Sequence, residues 1–455
     1  MPEMTPAQLA QLEARIAEVW EVGTRLGLRP FPTHFEVVPA TVMYEIGAYG
    51  MPGRFSHWTH GKAYQVQKTL YDYGLSKIYE LVINANPCHA FLLDTNTVLQ
   101  NTLVVAHVMA HSDFFANNAY FARTSRRMLD TVSLNAERIE RYEFEHGEAE
   151  VERLLDAVLS IQEHVDLYAS EEEDEPADTP PARQPKPYDD LWRYDRSAER
   201  RSPESPPKRS RRRPAEPSRD LLGFIRDHSP ILDDWERDVV SIVRTEMQYF
   251  IPQIQTKVLN EGWASYWHAR IMRELDLSTD EHIEFARLHA AILQPSPRRL
   301  NPYHLGYQIL LDIERRYGEQ HLFEVREMEN DISLIRNYLT RELVDELDLY
   351  LYERQGDELV IVDKDWEAVR ERLIGELGGN QTPVILVEDG DYEGNLELYL
   401  RHSWDGRKLD LDWAEKTMEH IYRLWGRRVW LETKSDDGSR LILSYHPREG
   451  HKQHR

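Results

Sequence analysis

NTVLQNTLVVAHVMAHSDFFANN, residues 96–118, is the stretch on which the reading of the fold turns. Wound as a helix it is apolar nearly all round, so the helix it predicts lies inside a core rather than on a surface. It carries two histidines, His107 and His111, four residues apart. Positions i and i+4 share one helix face, so both imidazoles can reach a single ion, as in the H-E-x-x-H metalloproteases. The competing reading is two packed histidines hydrogen-bonded to backbone. Asp113 follows two residues on.

The flanking sequence surrounds this helix with more helix. Residues 5–25 carry Leu9, Leu12, Ile16, Val19 and Trp20 at helical spacing, with Thr5 as N-cap and Pro6 at the first turn. Residues 65–83 predict another helix through Val66, Leu70, Tyr73, Ile78 and Val82, broken at Gly74 and ended by the turn residues 84–87. Residues 89–93 read as a strand or a buried turn, and 130–168 as a long charged helix. Helical periodicity resumes from Leu221 to about 249, then from Pro252 to about 275, and continues to 345. On the helix opened by Pro252, the residues Gln253, Lys257, Glu261, Ala264 and His268 form one polar stripe, while Ile254, Val258, Leu259, Trp263 and Trp267 cover the other faces. Such a stripe faces something polar inside the protein: a metal, or a buried ion pair with Lys257.

Residues 170–219 differ from everything else. An acidic run, Glu171 to Glu175, precedes ten prolines and the basic run Lys208 to Arg213. Too little apolar surface is available there to offset the entropy of ordering, so the segment is expected to be a disordered, solvated insert. The last 110 residues alternate strand and helix patterns. Two units, one opening at Leu347 and one at Leu396, each read as strand, turn, strand, helix, strand, with Trp366 and Trp413 opening the helices and counted in the core.

The fold expected is therefore α+β: a large, mostly helical domain (1–169 and 220–345) with a gluzincin-like helical site, interrupted by the insert (170–219) and followed by a small duplicated ββαβ domain (346–455). One cysteine among 455 residues excludes an internal disulfide and a cysteine-based zinc knuckle, and suits a reducing cytoplasm. No run approaches 18 apolar residues, so no membrane span is expected. A formal net charge of −24 repels nucleic-acid phosphate, leaving only the basic insert as a place for it.

The chemistry concentrates on the two histidine-bearing helices. His107, His111 and Glu261 are the expected metal ligands, with His268 as fourth ligand or supporting neighbour. Zinc is the first expectation and iron or manganese the alternatives, since two histidines and a carboxylate suit all three. The pattern is similar to a gluzincin site, in which a later Asn-Glu-x-x-Ala helix supplies the third ligand; here that is Asn260-Glu261-Gly262-Trp263-Ala264. The glutamate that activates water in that class corresponds to Val108, which cannot accept a proton. Glu246 and Asp113 are the candidate substitutes. Glu80 lies among apolar residues and needs a Lys, Arg or metal partner. Were Glu80, Glu246 and Glu261 all to converge, a two-metal carboxylate bundle would fit better. His57 and His60 are candidates for a site mouth, and His89 for a ligand or a packed ring.

Several motifs in order resemble the SpoVR (stage V sporulation protein R) family: His57-Trp-Thr-His-Gly-Lys62, residues 74–84, residues 86–90, residues 106–118, Arg244-Thr-Glu-Met-Gln, residues 256–264, Asn301-Pro-Tyr-His-Leu-Gly306 and Arg336-Asn-Tyr-Leu-Thr340. The resemblance covers nearly all of the chain outside the insert. It implies a link to spore cortex formation in spore formers. In other bacteria it implies a neighbourhood with a PrkA-type serine kinase and a von Willebrand-type protein, which are then the candidate partners. Three functions stay open: a metal-dependent hydrolase or amidase linked to the cell envelope or stress physiology, a non-catalytic regulator working with those partners, and a di-iron carboxylate enzyme.

Overall fold

The computed structural model describes residues 4–72, 80–167, 214, 216–295, 300–355, 358–377, 382–435 and 438–454. The expectation of disorder over 170–219 falls outside the described residues, save for its last few. The chain divides into two compact units: Met1–Leu155 with Thr245–Pro383, and Asp156–Arg244 with Val384–Arg455. The α+β class holds, with helices dominating the first unit and a five-stranded sheet in the second.

In the first unit the helix Val98–Asn117 starts at a reciprocal cap: Thr97 accepts from the Gln100 backbone, and the Gln100 side chain accepts from the Thr97 backbone. From Leu99 to Phe115 all but one of its residues are buried. It packs against Pro6–Arg25 and Lys257–Glu274, and the latter packs in turn on Pro302–Tyr317. Trp263 and Trp267 are fully buried there, each contributing about 1.5–3 kcal/mol of apolar burial. Glycines set the second of these helix contacts. A Cβ on Gly262 would meet the Gly306 backbone carbonyl carbon at 2.4 Å, so the two helices touch backbone to backbone. The first turn of Lys257–Glu274 is anchored by Asp331, whose carboxylate accepts from the Val258 and Leu259 amides at 2.8 and 2.9 Å.

Three expectations change in this unit. The single helix over 65–83 is a helix, Trp58–Asp72, and a strand, Glu80–Ile83. That strand pairs antiparallel with Cys88–Leu93, itself parallel to Thr33–Val38, so residues 84–87 turn a hairpin rather than end a helix. Val82 and Ile83, β-branched and opposite a buried apolar strand, favour the extended form. Pro252 does not open a helix; it lies inside Asp234–Gln255, and the break comes at Thr256. Gln253 is therefore not on the helix of Glu261. The pattern over 130–168 is two helices parted at Gly147, whose φ of 92° suits glycine alone.

The duplication is not repeated strand for strand. The hairpin Leu351–Gln355 with Glu358–Asp363 forms a sheet of its own, and the helix Trp366–Leu377 after it packs on Asp331–Tyr338 in the first unit. In the second unit, Lys408 to Leu411 is not a strand. The Asp410 side chain accepts from the Trp413 amide and starts the helix Leu411–Trp425 there. Trp413, expected in the core, is 68% exposed. The sheet runs Gly450–His454, Arg440–His446, Val429–Lys434, Glu397–His402, Ile385–Tyr392, and only the pair Glu397–His402 with Val429–Lys434 is parallel. Helix Leu411–Trp425 makes that parallel crossover and packs on the strands Val429–Lys434 and Arg440–His446.

Candidate metal centre

Helical spacing puts His107 and His111 on one face, and the helix contacts bring Glu261 opposite them. Glu80 arrives from the strand that replaces the expected helix. The ligand atoms of these four side chains all lie within 4.8 Å of one another, the geometry of a group able to hold a metal ion. His107 Nε2 lies 3.2 Å from Glu80 Oε1 and 3.6 Å from Glu261 Oε2; His111 Nε2 lies 3.7 and 3.4 Å from the same two atoms. Both imidazoles are buried and both carboxylates partly so.

The electrostatics are those of a mutually stabilised charge cluster. Burial opposes charge on all four, but the neighbours outweigh it. Glu80 is held down at about 2 by His107 and His111, and His111 is pushed up to about 10 by Glu261 and Glu80. Glu261 is lowered and His107 raised for the same reason. Two buried atoms nevertheless lack a hydrogen-bond partner, His107 Nε2 and Glu261 Oε2, and both point into the cluster. An orphan of this kind costs about 1–3 kcal/mol. The donor set, two imidazole nitrogens and two carboxylates, fits zinc, iron or manganese.

A second layer orients the first. His111 Nδ1 donates to Asn260 Oδ1 at 2.9 Å, which turns Nε2 toward the cluster. His107 Nδ1 lies 2.8 Å from Nδ1 of His268, so His268 sits beside His107 rather than among the four. Tyr303 stands near Glu261, and its ring centroid is 6.0 Å from that of His107. Burial, with Glu261 and Glu80 nearby, pushes its phenol far up, so it remains an O–H donor. Asn301 places it by accepting from the Tyr303 amide at 3.0 Å, and Gly306 lets its helix reach Gly262.

The expected bases do not join the cluster. Asp113, two residues past His111, turns away and accepts from the Arg29 amide at 2.6 Å, Trp263 Nε1 at 3.0 Å and Arg326 at 3.2 Å. Glu246 is fully buried against Arg54, at 2.7 Å. His57 meets Thr59, and His60 packs between Tyr49 and Phe55, so neither is a member of the group. His89 packs against His34. Lys257 is exposed, so the buried ion pair with Glu261 does not form. Tyr303 stands in a motif visible in the sequence, but nothing in its spacing tied it to His107. Glu80 needs a partner by its apolar context, but it reaches the site from the strand Glu80–Ile83 where the spacing predicts a helix.

Fold and site together define a class: a helical protein with a buried two-histidine, two-carboxylate group able to hold a metal, followed by a C-terminal sheet unit. Residues 6–382 match the family of SpoVR like proteins, and residues 383–436 match the SpoVR-like C-terminal domain. The chain belongs to the SpoVR family. It is similar to the Uncharacterized protein YcgB of Escherichia coli (strain K12), 30% identical over 485 aligned positions, gaps included, that take in 96% of this chain and 94% of that one. No solved structure matches it. Among the described residues no helix is long and apolar enough to cross a membrane.

Proposed function

We propose that this chain is a metal-dependent hydrolase of the amidase kind, acting on peptide or peptidoglycan-like bonds, with its ion held by His107, His111 and Glu261. The observation that carries this is the facing pair of orphaned atoms, His107 Nε2 and Glu261 Oε2, 3.6 Å apart inside a four-ligand group. Zinc is the first choice of ion and iron or manganese the alternatives. When bound, such an ion supplies Lewis acidity and lowers the pKa of a water molecule.

The remaining work falls to the chain. Val108 is buried in the apolar core and cannot take a proton. Glu246 and Asp113 are committed to Arg54 and Arg326. Glu80 is the carboxylate left facing both imidazoles, and in this reading it accepts the proton that the usual glutamate would take. Tyr303, an O–H donor beside Glu261, is placed to hydrogen-bond a substrate oxygen. The peptidoglycan-like substrate class is supported by the family's link to spore cortex formation, and a cytoplasmic location by the single, unpaired cysteine, Cys88.

The test is amide cleavage by zinc- or iron-loaded protein on a panel of peptidoglycan-derived peptides. The expected result is cleavage by wild type, none by Glu80→Gln, and an ion still bound in that variant. A loaded wild type that cleaves none of the panel overturns the hydrolase reading. Val108 favours one second reading, a non-catalytic regulator that retains the site and works with a PrkA-type kinase and a von Willebrand-type protein. The di-iron alternative is weakened because Glu246, bound to Arg54, leaves a group of four side chains, fewer than a two-ion carboxylate bundle uses.

A further inference from the structure

Three imidazoles lie in series behind the cluster. His107 Nδ1 is 2.8 Å from His268 Nδ1, and His268 Nε2 is 2.8 Å from His289 Nδ1. They come from three helices, Val98–Asn117, Lys257–Glu274 and Thr279–Ile292. His268 is fully buried, with both nitrogens engaged by other rings. His289 is partly exposed and sits between Phe285 and Tyr307, at centroid distances of 5.7 and 5.5 Å.

We propose that His268 and His289 are positioning residues that fix the tautomer of His107, presenting its Nε2 as a bare ligand nitrogen to a divalent cation. This rests on the metal-centre reading above and deepens it. Each nitrogen-to-nitrogen contact holds one hydrogen, because one partner donates and the other accepts. A chain of neutral imidazoles therefore has two polarities. In one, His107 carries its hydrogen on Nδ1 and gives it to His268, His268 gives its Nε2 hydrogen to His289, and His107 Nε2 is bare. In the other, every hydrogen is shifted, His107 Nε2 carries a hydrogen, and it cannot be a ligand. The first polarity is the one a cation at His107 Nε2 requires: His268 then accepts at Nδ1 from His107, and His289 accepts at its own Nδ1 from His268. Asn260 gives His111 the same anchoring in a single step. Both ligand histidines of the group are thus held by the nitrogen that faces away from it.

The test is a cobalt(II) titration of metal-free, full-length protein, followed by its visible absorption, with zinc competition for affinity. His268→Leu removes the acceptor and should weaken binding by about 10- to 100-fold, the usual cost of losing such a partner. His268→Asn keeps an acceptor oxygen near the Nδ1 position and should restore most of the affinity. A role in packing alone predicts the reverse order, since Leu fills the buried space better than Asn. His289→Leu, at a partly exposed position, should weaken binding in the same direction and gives the answer if His268→Leu fails to fold. Wild-type affinity in both Leu variants, or in His289→Leu where it alone folds, overturns this inference and leaves the metal centre standing. A wild type that binds neither cobalt nor zinc overturns the metal centre itself.

Discussion

His107 and His111 are each engaged at Nδ1 and turn Nε2 toward the cluster, and that single-atom distinction bears on what the cluster can bind. His111 depends on Asn260 for it, across 2.9 Å. Asn260→Ala should therefore lower zinc affinity by about 10- to 100-fold with little change in helicity, measured by competition against a chromophoric chelator. Glu261→Gln should weaken retention markedly, because it removes an anionic ligand while keeping the shape. At this scale the sequence was informative where chemistry and period coincided: His107 and His111 at i and i+4, and Glu261 in its Asn-Glu-Gly-Trp-Ala context. It was silent where a residue acts through a helix far away in the chain. Tyr303 and His289 are single side chains with no periodic partner, and only packing brings them to the site. Asp113 and Glu246 mislead for the converse reason. A buried carboxylate near a site looks like a base until the arginine that neutralises it is seen.

Among the elements, the site depends on how closely Lys257–Glu274 approaches its neighbours. Gly262→Ala puts a Cβ against the Gly306 backbone, which cannot yield as a flexible side chain would. The variant should lose about 1–3 kcal/mol of stability or more and bind zinc less well, read from thermal unfolding with and without the ion. Asp331 anchors the start of the same helix, and burial pushes its carboxyl up to about 7. A folded-state pKa above the unfolded value means that the folded protein binds more protons between pH about 4 and about 7. This group's contribution to stability is thus full below that window and is lost as pH rises through 7. Asp331→Asn should remove that component, so the gap between the wild-type and variant unfolding midpoints should change across pH 5–8; a constant gap would contradict it. The elements most legible in sequence were the long ones with a cap, Pro6–Arg25 and Val98–Asn117. The strand Glu80–Ile83 was misread because four apolar-rich residues fit either period, and the pairing that decides them lies in Cys88–Leu93.

Over the whole molecule, the α+β class follows from helical and strand periodicity and the family from motif order along the chain, whereas the internal repeat at the C-terminus does not survive as a strand-for-strand copy. Leu347–Leu351 and Leu396–Leu400 look alike as strings, but the tryptophan-bearing helices that follow have different surroundings. Trp366 packs partly buried against the main core, while Trp413 stands 68% exposed. Similarity of pattern fixes local structure and leaves partner choice to tertiary contacts. An ion that binds only the folded protein should also stabilise it globally, by about 2.7 kcal/mol at a hundredfold excess over its Kd. Zinc should therefore raise the unfolding midpoint of wild type and leave a His107→Ala, His111→Ala double variant unmoved. The central claim is that His107, His111 and Glu261, with Glu80 facing them, hold one ion. Its most direct test is the metal content, by elemental mass spectrometry, of the full-length protein purified without chelator and offered zinc, iron and manganese. The account predicts one ion per chain in wild type and none in the double variant; a wild type that retains none of the three, or a double variant that retains as much, would contradict it.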